Sequence, residues 1–128
     1  MTLRSLPAVL LLVVGSAGAA EVVSFARDLA PVLRTRCAVC HLTGEEPGNM
    51  KLYPGAAYAS LVNVASTEGK LKRVHPGAPE LSYLMHKLDG THLDAGGVGE
   101  QMPLGQAPLD QIIRDCFRAW IAQGAQNN

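Results

Sequence analysis

Aromatic residues are scarce in this chain: one Trp, three Tyr and two Phe among 128 residues. So few large apolar side chains make a modest core, and small domains struggle to bury enough surface unaided. Cysteine is scarce as well. Three thiols cannot build a disulfide framework, so cross-links do not make up that deficit. An excess of one charge is also missing, with eleven Lys and Arg against eleven Asp and Glu. That balance removes the electrostatic case for nucleic acid or an anionic membrane surface as partner. Strand alternation and internal repeats are absent, which points away from sheets and repeat arrays.

Long apolar runs are missing too. The one at residues 6–14 is too short to span a bilayer as a helix. Arg4 precedes it and Ala17-Gly18-Ala19-Ala20 follows it, the pattern of a cleaved export signal over residues 1–20. No cysteine follows the small residues, so lipid attachment there is not expected, nor stable membrane insertion after cleavage. In a bacterium the destination is the periplasm. A single domain is expected over residues 21–128, with ten Lys and Arg against eleven Asp and Glu.

What that domain does contain is a set of short helical stretches. The first is predicted over 28–36, with Asp28 as cap, Pro31 in the tolerant first turn, and Leu29, Val32 and Leu33 on one face. A short helix is expected over 56–64, with Tyr58, Leu61 and Val62 inward. Another is expected over 79–88, with Leu81, Leu84, Met85 and Leu88 at helical spacing. Residues 89–108 hold five glycines and two prolines and read as a long loop, a length usually tied to function or disorder. The last helix is expected over 109–123, with Leu109, Ile112, Ile113, Cys116, Phe117 and Trp120 as its apolar stripe and Gly124 as its stop. The fold class is all-α and small.

The first helix delivers Cys37-Ala38-Val39-Cys40-His41. Two thiols at this spacing suit the two vinyl groups of haem, and the adjacent imidazole suits its iron. Covalent attachment also keeps a cofactor from being lost outside the cell. A thioredoxin-like redox pair would need a strand–helix–strand setting that this chain lacks. A closed zinc site would need four ligands, and only His75, His86 and His92 stand singly elsewhere. The second axial position on an iron has Met50, Met85 and Met102 as candidates, with those three histidines behind them. His41 would need a carbonyl for its other ring nitrogen, and Pro47 and Pro54 in the following loop are candidates.

These features resemble a class I c-type cytochrome with one haem. The resemblance rests on CAVCH after an N-terminal helix, Met102-Pro103 in a glycine-rich loop, and the closing IIRDCFRAWIAQGA. The segment RVHPGAPELSYLMHKLDG is similar to planctomycete-type cytochrome c domains, and the likeness covers about residues 22–125. It implies a small fold wrapped around one covalently bound haem c, with Cys37 and Cys40 as its attachment points. It implies His41 and Met102 as the axial ligands, and first and last helices that cross through Phe117 and Trp120. Residue by residue, Met102 also fits best. It lies 61 residues beyond His41 in a loop loosened by Gly96, Gly97, Gly99 and Gly105, whereas helical packing already accounts for Met85.

The expected function is single-electron transfer between redox partner proteins such as a dehydrogenase, reductase or oxidase, with no catalysis of its own. A haem-binding subunit or sensor docked to a larger oxidoreductase would share every motif. A peroxidase-like enzyme would need an open sixth position and a distal polar group, yet residues 89–108 contain no arginine and one histidine. Cys116, Tyr58 and Tyr83 read as core. Lys70, Lys72 and Arg73 read as a basic surface patch that steers a partner or meets a haem propionate, and His86 and His92 read as surface residues.

Overall fold

Ser24 starts the first helix, four residues before the expected Asp28. Its hydroxyl accepts a hydrogen bond from Arg27 N–H at 3.1 Å, while the Asp28 carboxylate accepts one from Ser24 N–H at 2.8 Å. This reciprocal arrangement satisfies two amides that a helix start leaves unpaired. The computed structural model describes residue 15 and residues 18–128, so most of the stretch read as an export signal lies outside the described residues. A π-helical turn, Phe25–Leu29, runs straight into α1, Ala30–Arg36. Phe25, Leu29 and Leu33 are buried along its inner side.

Three further helices follow: α2, Ala57–Leu61; α3, Tyr83–Asp89; and α4, Gln111–Ala122. The described residues are mostly helix and loop, with no sheet or barrel. Only isolated bridges occur, pairing Val62 with Val74, Ala65 with Lys72, and Lys72 with Ser82. The last of these splits the helix expected over 79–88. Pro79–Leu81 forms a separate 3-10 turn. Ser82 then turns inward, fully buried, donating to Ala78 O at 2.9 Å and accepting from His75 N–H at 2.9 Å. With the turn broken there, Leu81 faces solvent instead of the core. Gly90 closes α3 in the left-handed region at φ 75°, where glycine costs nothing.

α4 lays Phe117, Trp120 and Ile121 into the core. Ile112 does not join them and is 83% exposed, contrary to the expected stripe. At about 100° per residue the buried face is centred near Trp120, and Ile112 falls off its edge in the first turn. An aromatic cluster joins the two ends of the chain. Phe25 lies 5.2 Å from Trp120 and 5.4 Å from Tyr58 between ring centroids, the latter pair edge-on. Beyond α4 the chain returns over the N-terminal segment. Asn128 O accepts from Ala26 N–H, Tyr58 O–H donates to Ala125 O, and Trp120 Nε1–H donates to Gln126 O. No helix of the described residues is long and apolar enough to cross a membrane.

Candidate functional site

Residues 37–41 continue α1 as a tight turn. Cys37 N–H and Ala38 N–H both donate to Leu33 O, and Cys40 N–H and His41 N–H both donate to Cys37 O. Ala38 is buried and Val39 points out, so the two cysteines flanking them share one side of the turn. None of the three thiols is in a disulfide. The chain then loops out and comes back, with Leu52 N–H donating to His41 O at 2.8 Å. Glu46 ties this loop into a knot by accepting from the amides of Thr43 and Gly44. Those bonds hold its carboxyl down at about 2.

Cys37, Cys40 and His41 line one cavity, and Met102, from near the other end of the chain, lines the same one. Its empty space is about 1060 Å³, open mouth and adjoining solvent included. Leu52, Leu61, Leu84 and Leu88 supply apolar wall from α2, α3 and the loop before α2. The structure thus brings together all four residues singled out from the sequence. Met85 is not among the lining residues; it is 2% exposed in the core, as helical packing predicts. Met50 does line the cavity, on the His41 side. A Cβ placed on Gly48 would meet Met50 Cε at 2.9 Å and His41 Cε1 at 3.6 Å. Gly48 is required there twice over, by that crowding and by φ 92°.

The imidazole of His41 is held neutral, because burial lowers its pKa from the ordinary value. Its Nδ1 is buried with no hydrogen-bond partner among the described residues. The carbonyl expected from Pro47 or Pro54 therefore does not engage it, although Pro47 lines the cavity beside it. That orphaned Nδ1 lies against Gly48, 4.0 Å from where a Cβ there would sit. The Cys37 thiol is pushed up to about 11 by burial, and the nearby Arg36 only partly offsets this. Such a thiol stays protonated at neutral pH, unlike the low-pKa thiolates of redox pairs. Among the described residues no three His, Cys, Asp or Glu side chains cluster as an ion site, and a closed zinc centre requires four ligands.

Several lining residues escape sequence reading. Ser66, Glu68, Arg73 and Lys87 give the cavity a polar sector. Arg73 was expected on a basic surface patch but is 7% exposed. Its guanidinium donates to Ser60 O at 2.8 Å and to Gly48 O and Asn49 O at 2.7 and 3.1 Å, stapling the His41 loop to α2. His92, expected at the surface, is buried with its Nε2 2.8 Å from Gly99 O. No periodicity marks either residue, since each is buried by a loop that folds over it. His86 is half-buried, its ring between Thr91 Oγ1 and Glu80 O. Comparison of the chain with protein-family models, with curated proteins and with solved structures found no match in any of the three.

Proposed function

We propose that the protein is a periplasmic mono-haem c-type cytochrome that carries single electrons between redox partner proteins. One observation supports this above the others: two thiols, a neutral imidazole and a thioether, drawn from positions 37–41 and 102, line a single apolar cavity. The residues fit the group in donor type, with two thiols, an imidazole and a thioether lining one cavity. When bound, haem supplies a ferrous–ferric couple tuned by its axial ligands.

The chain's own residues do the rest. Cys37 and Cys40 are the residues that would hold haem covalently, each thiol S–H adding across one vinyl double bond with no leaving group. Burial keeps Cys37 protonated until that addition. His41 offers the lone pair of Nε2, and its lowered pKa keeps that lone pair available through neutral pH. Met102 brings a thioether, a soft ligand that favours the ferrous state and closes the site to outside ligands. Leucine walls exclude water, which reduces solvent reorganisation when charge changes. Cys40 is exposed, so this edge of the site is within reach of a docking partner, and no acid–base group is needed.

A docked subunit is the second reading, favoured by exposed apolar side chains next to the site residues. Val39 is 71% exposed, Leu42 51% and Leu104 58%. The protein produced with cytochrome maturation machinery tests the main proposal. Haem should remain on the polypeptide through denaturing electrophoresis and acid–acetone extraction. Replacing both Cys37 and Cys40 with alanine should abolish this, and Cys116→Ala should not. A wild-type chain that releases all its haem overturns the reading, and a monomeric periplasmic holoprotein disfavours the docked subunit.

A further inference from the structure

Lys87 is a charged residue in the wrong place for a surface helix. It sits in α3, 7% exposed, and lines the cavity. A buried ammonium is costly unless it is paired and hydrogen-bonded, and this one is fully engaged. It donates hydrogen bonds to Val98 O and Glu100 O, both at 2.9 Å, and forms an ion pair with Glu68 Oε2 at 3.2 Å. The main chain of the same residue acts on the same loop, since Lys87 O accepts from Met102 N–H at 2.9 Å. Next to it, Gln101 Nε2–H donates to Leu88 O at 2.9 Å, and the Tyr83 hydroxyl meets Val98.

We propose that Lys87, neutralised by Glu68, is the positioning residue for Met102: it clamps residues 98–102 onto α3 so that the thioether is held at the cavity. The clamp bridges two segments that share no secondary structure, Glu68 from the loop before α3 and residues 98–102 from the loop after it. Gly99 leaves it room. A Cβ there would come within 3.2 Å of Lys87 Nζ. The loop has no helix of its own to hold Met102, so the ammonium supplies the order that regular hydrogen bonding supplies elsewhere. The consequence for Met102 as a ligand rests on the haem reading; the clamp itself does not.

The test compares wild-type holoprotein with Lys87→Met, Lys87→Arg and Glu68→Gln. In Lys87→Met, hydrogen exchange of the Met102 amide should rise at least about tenfold, the factor expected when a hydrogen bond to a charged group is lost, while α4 exchanges as before. The same variant should lose the ferric sulfur–iron charge-transfer band and bind carbon monoxide when ferrous. Lys87→Arg, which can still reach two carbonyls and a carboxylate, should restore both. Wild-type exchange at Met102 in Lys87→Met overturns the proposal. So does raised exchange with the band intact and the ferrous iron still closed to carbon monoxide. If Lys87→Met does not fold, Glu68→Gln decides by the same readouts, since it keeps the lysine but leaves it unneutralised. Failure of the haem reading would show separately, as wild type without covalent haem. The exchange measurement then judges the clamp alone.

Discussion

Met50, Met85 and Met102 differ in what surrounds them, and under the proposed haem reading that difference separates their roles. Met85 is 2% exposed among Leu and Phe side chains and lies away from the cavity. Met50 lines the cavity but crowds the same point beside Gly48 as the His41 ring. Met102 lines the cavity from a loop anchored to α3 through its own amide. Met102→Ala should therefore remove the sulfur–iron band of the ferric holoprotein, lower the potential and open the ferrous iron to carbon monoxide. Met85→Ala should keep all three properties and cost about 2–5 kcal/mol of stability, the range for truncating a buried core side chain. Optical spectra and denaturant titration of the two variants check this, and an exchange of the two outcomes would refute the assignment. Gly97 belongs to the same scale. A Cβ there would run into the Tyr83 ring and hydroxyl, so glycine at that position lets the Met102 loop lie flat on α3.

At the scale of elements, caps and faces decide more than propensity. The first helix is held by Ser24, whose hydroxyl accepts from Arg27 N–H and donates to Asn128 O. Ser24→Ala should cost about 0.5–2 kcal/mol, the usual range for losing a cap, and should loosen the returning C-terminal residues with it. Ile112→Ala, on the exposed edge of α4, should stay within about 0.5 kcal/mol, whereas Phe117→Ala should cost about 3–5 kcal/mol. Urea unfolding of the three variants separates the buried face of α4 from its edge. α3 and α4 are further joined by Asp89, which takes Arg114 Nη1 at 2.9 Å and also Arg118. These pairs are partly solvated and set the register of the two helices more than they add stability.

On the scale of the whole molecule, a cavity open to solvent sits among helices averaging only two turns. A group that filled it would add its own binding free energy to folding and so offset the small core that six aromatics allow. The chain made without haem should show the electrostatics of the bare site. His41 has its pKa lowered by burial, so its contribution is present above its ordinary value of 6.5 and is lost as pH falls below it. Glu46, held down at about 2 from an ordinary 4.5, adds a second loss between those values. Cys37, raised to about 11 from 9.0, contributes below pH 9 and loses that contribution as pH rises between the two. Thermal unfolding of this form should thus be most resistant between about pH 6.5 and 9. In the holoprotein the His41 and Cys37 limbs should vanish, because neither group titrates once committed, and the Glu46 limb should remain. Burial raises the Cys116 thiol as well, so the comparison is made in Cys116→Ala, where persistence of the alkaline limb in the holoprotein would count against thioether formation at Cys37.

The placement of CAVCH is legible by itself, because local spacing alone puts two thiols and an imidazole on one turn. The helical class, the approximate place of α1 and α4, and the packing of Met85 are legible for the same reason, since a period near 3.6 records which face is covered. Tertiary structure decided the remainder. Whether Met102 and His41 meet one cavity depends on the 60 residues between them, and no local pattern encodes that closure. Arg73, Lys87 and His92 carry no sign of burial in the sequence, because loops from elsewhere cover them and supply the carbonyls that satisfy them. The break at Ser82 and the exposure of Ile112 have the same origin. Periodicity says that a face exists, but only the packed neighbours determine how wide it is and where it ends.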